Sequence, residues 1–162
     1  MSRDQVGWLD EHSALERHLV VAMRHAAAAL AHGDPRAHEA AQEALEAITR
    51  ASDGAGARRR FWSLRRTLGR HARRVLQFHQ PSCPCLGGDE ARLLAIWQHL
   101  RVHRRGHATV LARAIVGERK AEVVLRHAAL VATRVTPPQS RASSPETASV
   151  RATAPAQAAR LH

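Results

Sequence analysis

Tyrosine is absent from this chain, and among its 162 residues only Phe61, Phe78, Trp8, Trp62 and Trp97 are aromatic. Runs of β-branched residues are equally scarce. Extended sheets are built from those residue types, so their shortage beside abundant alanine points to an all-α fold. Lysine is nearly missing as well: Lys120 is the only one, and the formal net charge of +11 rests on arginine. No apolar run is long enough to cross a bilayer, since the longest, near Ala26 to Ala31, is short and alanine-rich. The first residues, Met1 to Trp8, lack the basic-then-apolar pattern of a secretion signal, so a cytoplasmic protein without a membrane partner is expected. Cysteine is confined to Cys83 and Cys85, which are too close together to make a disulfide framework; reduced thiols are the expectation. Catalytic signatures are missing too. Gly87-Gly88 has no Lys-Ser/Thr after it to complete a phosphate loop, and no serine sits in a nucleophile elbow, so no catalysis is expected.

What is present is helical periodicity broken by clear punctuation. Helix one is predicted from Asp10 to His32, with Trp8, Leu15, Leu19, Ala22, Met23, Ala26 and Leu30 on one stripe. Ser13 and Glu16 fit a capping box if the start lies later. Gly33-Asp34-Pro35 then supplies a stop, an N-cap and a first-turn proline in succession, so helix two, Pro35 to Ala51, folds back as an αα-hairpin. Helix three is predicted from Ala57 to His79, grouping Phe61, Leu64, Leu68, Ala72, Val75, Leu76 and His79 on one arc. Asp89 is expected to cap helix four, Glu90 to Arg104, Gly106 to break or kink the next stretch, and a further helical stretch runs from His107 to Val135 with Gly117 as a joint. The predicted architecture is a compact bundle of five or six helices in residues 1–135. Residues 136–162, rich in Ser, Thr, Pro and Ala, are read as a disordered tail because they cannot repay their ordering entropy by burial.

Charge is segregated along the chain. Residues 1–56 carry five arginines against nine acidic residues, whereas residues 57–74 carry eight arginines and no acid. On the predicted third helix Arg59, Arg66, Arg70, Arg73 and Arg74 fall opposite the apolar arc, which suits an acidic partner, nucleic acid or protein. Roughly four phosphate contacts would lower affinity about a hundredfold between about 50 and 200 mM salt. The bland alternative is a solvated face, or one that covers the acidic hairpin of its own chain. No recognition-helix pattern or series of stacking aromatics supports sequence-specific readout.

The second constellation is His79-Gln-Pro-Ser-Cys83-Pro-Cys85, which places one imidazole and two thiols in a short loop and suits zinc or a thiol-redox role. His71, Asp89 and His99 are the candidates for a fourth ligand. The bland alternative is that both cysteines are small packed residues and that Pro81 and Pro84 set the bend. His99, His103 and His107 follow at helical spacing, but Arg101, Arg104 and Arg105 among them would repel a cation. His18, His25 and His32 share a stripe flanking the apolar face of helix one. His12 and Glu16 have the His-x-x-x-Glu form of helical di-iron sites, and helix one by itself resembles the first helix of a hemerythrin-like bundle. Helices two and three lack the further histidine and carboxylate pairs such a site needs, so no function is carried over. The expectation is a non-enzymatic binding or regulatory protein that presents the arginine face. The alternative is a metal or thiol sensor built on His79, Cys83 and Cys85.

Overall fold

The computed structural model describes residues 5–49 and 54–134. Six α-helices dominate them: α1 (Ala14–His32), α2 (Pro35–Thr49), α3 (Gly54–His71), α4 (Gly88–Arg101), α5 (Arg105–Val116) and α6 (Glu118–Arg134). Two short strands, β1 (Gln5–Trp8) and β2 (Cys85–Gly87), pair antiparallel. The all-α bundle expected from composition is therefore the observed fold, with one small sheet added. The expected tail lies outside the described residues.

Local chemistry sets most helix ends. Ser13 caps α1: its backbone N–H donates to Glu16 Oε2 at 2.9 Å and its Oγ accepts from the Glu16 N–H at 3.4 Å. That reciprocal pair starts the helix at Ala14 instead of Asp10. Gly33, at φ +64°, ends α1 in the left-handed conformation, and Asp34 Oδ1 accepts from the Arg36 N–H at 2.9 Å to open α2. A two-residue connection folds α2 back along α1. At the far end of the chain Gly117 separates α5 from α6 as expected, whereas Gly106 lies inside α5 and breaks nothing. The break falls at Val102–Arg104, where His103 adopts φ +57°.

A single apolar cluster takes residues from every helix, including Leu19 and Met23 of α1, Phe61 and Leu68 of α3, Trp97 of α4 and Leu125 of α6. α1 packs on α2, α3 packs on α6, and α4, α5 and α6 pack on one another.

The largest departure from the periodicity lies after α3. The apolar arc predicts helix to His79, yet the helix stops at His71 and residues 72–84 run as irregular chain. Distant acceptors take the backbone donors that would have continued the helix. The Arg73 N–H donates to Ile115 O at 2.9 Å, the Gln77 N–H to Asp89 Oδ2 at 3.0 Å, and the His79 N–H to Glu90 Oε1 at 2.9 Å. Val75, expected in the core, is consequently 79% exposed. Trp8, also assigned to a helical stripe, belongs to β1, which faces Cys85 across the ladder and is extended by the Leu9 N–H donating to Pro84 O at 2.8 Å. Asp89 does not cap α4. The Gly87 N–H is taken instead by Glu90 Oε2 at 2.8 Å, and Asp89 binds the incoming chain.

Candidate functional site

The cysteine loop is bolted to the core by one buried ion pair. Arg24 projects from the middle of α1 and is 1% exposed; Glu90, in the first turn of α4, is fully buried. Arg24 Nε donates to Glu90 Oε1 and Nη2 to Glu90 Oε2, both at 2.8 Å. The rest of the guanidinium addresses the loop: Nη1 donates to the carbonyls of Cys83 (2.6 Å) and Gln80 (3.2 Å), and Nη2 to the carbonyl of Cys85. Glu90 in turn accepts from the N–H groups of His79 and Gly87. A fully hydrogen-bonded pair of this kind repays its desolvation only because every donor and lone pair is used. Its geometric effect is to fix residues 79–87 against α1.

Within that loop His79, Cys83 and Cys85 converge, their ligand atoms all within 4.8 Å of one another. The expectation of reduced thiols is overturned, however: Cys83 and Cys85 form a disulfide. Both sulfurs are committed to each other, and a metal would require their reduction to thiolates first. The fourth-ligand candidates do not join the group, which among the described residues contains those three side chains alone. Asp89 is occupied by Arg74, Arg92 and the Gln77 N–H, and His99 stacks on His107 with ring centroids 5.1 Å apart.

The predicted arginine face divides in two. Arg59, Arg66 and Arg70 lie on α3 and are exposed, with no ion pair among the described residues. Their spacing of seven and four residues keeps them on one stripe. Arg73 and Arg74 lie beyond the helix end and leave the stripe. Arg73 covers Gly117, with its Nε 3.2 Å from where a Cβ there would stand. Arg74 is clamped bidentately by Asp89 at 2.6 and 2.7 Å. Burial pushes the Asp89 carboxyl up, but Arg74, the Gln77 N–H and Arg92 together outweigh it and hold it below the ordinary carboxylate value. The acidic hairpin does not cover the remaining stripe; Arg58 makes the contact with it, through Glu46 at 3.2 Å.

Beside that stripe lies a groove of about 720 Å³ between the end of α1, α2 and α3. Arg58, Arg59 and Arg66 line it together with Trp62, whose indole stacks on His38 of α2 at 4.4 Å and 19° between planes. No carboxylate lines it. Trp62 and His38 drew no attention in the sequence because only packing of α2 on α3 brings them together. Arg24 was missed in the sequence; its place beside Met23 on the apolar side of helix one was the only local signal, and its partner Glu90 is 66 residues away. No protein-family model, curated protein or solved structure matches this chain. The functional reading therefore rests on the site itself. Among the described residues no helix is long and apolar enough to cross a membrane.

Proposed function

We propose that the protein is a non-enzymatic binding module whose α2–α3 face docks an acidic partner, with single-stranded nucleic acid the class that suits the groove best. The observation that carries this reading is the groove itself: Arg59 and Arg66, which form no ion pair among the described residues, stand beside a stacked indole–imidazole pair, with Arg58 next to them paired to Glu46. Guanidinium groups neutralise phosphates, and a flat aromatic surface takes a base without regard to its identity. Arg70 extends the cationic stripe by one more turn. Arg73 and Arg74 are left out of the docking surface because neither lies on the stripe.

The test is fluorescence anisotropy of a labelled single-stranded oligothymidylate titrated at several salt concentrations. Each phosphate contact on a single strand contributes roughly 0.7 to the slope of log affinity against log salt, so replacing Arg59, Arg66 and Arg70 by Gln is expected to reduce that slope by about 2. Trp62→Ala is expected to weaken binding with little change of slope. An affinity indifferent to salt, or to the triple substitution, refutes the proposal. Binding of polyglutamate with no binding of the oligonucleotide moves the partner class to acidic protein.

A second reading is favoured by one observation, the disulfide held beside His79. A dithiol reductant would deliver two electrons and two protons to the Cys83–Cys85 bond, leaving two thiols on this chain and a disulfide on the reductant. The two sulfurs, after losing their protons, and His79 would then form a three-ligand set for zinc. The test is elemental analysis of untagged protein reduced under zinc, against the Cys83→Ser, Cys85→Ser double variant. Equal zinc content in the two removes this reading.

A further inference from the structure

Arg65 is the one arginine of α3 that turns inward, and it does so without a partner. It is 6% exposed, its Nε is enclosed with no hydrogen bond, and it forms no ion pair among the described residues. Its one directional contact among the described residues is with the face of Phe78, 4.5 Å from the guanidinium carbon to the ring centroid. A cation–π contact offsets only part of the cost of burying a guanidinium. Arg24 shows how this same fold satisfies a buried arginine, with a carboxylate fork and three carbonyls. Burial pulls the Arg65 pKa down to about 10, which still leaves it cationic at neutral pH.

This unmatched charge lines a second groove, of about 570 Å³, bounded by α1, α3 and the irregular segment after α3. Apart from Arg65 and Arg74 its walls are apolar, and they include Leu68, Leu76 and Phe78. Arg74 is already spent on Asp89. Two large apolar side chains at this groove, Leu30 and Val75, are 51% and 79% exposed. The volume is that of a small-molecule pocket, and the lining combines a mostly apolar wall with one polar anchor.

We infer that this groove binds an amphiphilic carboxylate, a medium-chain or aryl-substituted acid whose carboxyl group pairs with Arg65 and whose apolar body lies along Leu30, Leu68 and Val75. The planar fork of one arginine matches a carboxylate, while a phosphate dianion would call for donors that the groove does not supply. The two grooves share Leu30, but this site uses none of Arg59, Arg66 and Arg70, so it is tested separately from the docking proposal.

The experiment is isothermal titration of the full chain with octanoate, with 1-octanol and octylamine as probes of the same length. Octanoate is expected to bind saturably and at least about tenfold more tightly than either, the ratio expected from one charge-assisted pair. Arg65→Met removes the charge while filling the same space. It is expected to keep or raise the melting temperature, because a buried unpaired cation is lost, and to weaken octanoate binding at least about tenfold. Arg65→Lys keeps the charge without the fork and should fall between the two. The triple Gln variant of Arg59, Arg66 and Arg70 should bind octanoate as the native chain does. Equal binding of octanoate and octanol, or full retention of octanoate by Arg65→Met, overturns the inference. So does sedimentation as a dimer that Leu30→Asp dissociates, since the groove would then belong to a second copy.

Discussion

Replacing Arg24 by Met keeps most of the buried volume and removes five hydrogen bonds at once. Glu90 then lies in the core with its charge opposed only by the N–H groups of His79 and Gly87, and three carbonyls of the cysteine loop lose their donors. Breaking a buried pair from one side costs about 3–5 kcal/mol. For a folded region of this size that corresponds to a fall of roughly 10–20 °C in Tm, and it is a large share of the roughly 5–15 kcal/mol by which domains are stable. Glu90→Gln should cost a similar amount, because it leaves the guanidinium uncompensated. The double variant should be less destabilised than the sum of the two, with a coupling of at least about 1.5 kcal/mol, since it buries no net charge. Urea unfolding followed by circular dichroism measures all three. A second readout is local: with its carbonyls released, the Cys83–Cys85 disulfide should be reduced faster by dithiothreitol in Arg24→Met than in the native chain. Single variants that lose less than about 1 kcal/mol, or losses that simply add, refute the view that this pair bolts the loop to α1.

Three further outcomes follow from named geometry. Because the Asp89 carboxyl titrates below its ordinary value, the stability it contributes is complete above about pH 4 and is lost as pH falls through its folded-state pKa; Asp89→Asn should lower stability at neutral pH and flatten its dependence on acid, as read from urea midpoints. Burial, and then the charges of Arg60 and Arg126, lower the His127 pKa, so protonation of the unfolded chain should cost stability as pH drops below about 6.5, and His127→Gln should remove that slope. Gly117, at φ +80° with the Arg73 side chain over its Cα, should lose about 1–3 kcal/mol on replacement by Ala, whereas Gly106→Ala, inside α5 with open space around it, should gain about 0.4–1 kcal/mol; thermal unfolding of the pair gives the comparison.

The all-α architecture and several helix boundaries were determined by the sequence alone, because their causes are local. The Ser13–Glu16 cap, the Gly33-Asp34-Pro35 turn and the positive-φ Gly117 each act within a few residues, and the core stripes of α1 from Leu15 to Ala26 and of α3 from Phe61 to Leu68 follow from a helical period. The closeness of His79 to both cysteines along the chain was legible for the same reason, but their convergence and the disulfide were not, because Arg24 and Glu90 hold that loop from distant helices. Tertiary structure alone decided where α3 ends: an apolar arc that continues through Val75 and Leu76 is cut short because Ile115, Asp89 and Glu90 offer better acceptors for the backbone than another helical turn does. That cut removes Arg73 and Arg74 from the cationic stripe and opens the groove beside Arg65. Pairing of Arg24 with Glu90, and the lack of any such partner for Arg65 among the described residues, were likewise beyond reach of the sequence. Periodicity tells which way a side chain faces on its own helix, but a buried charge is satisfied or left unmatched only by what the rest of the chain brings against it.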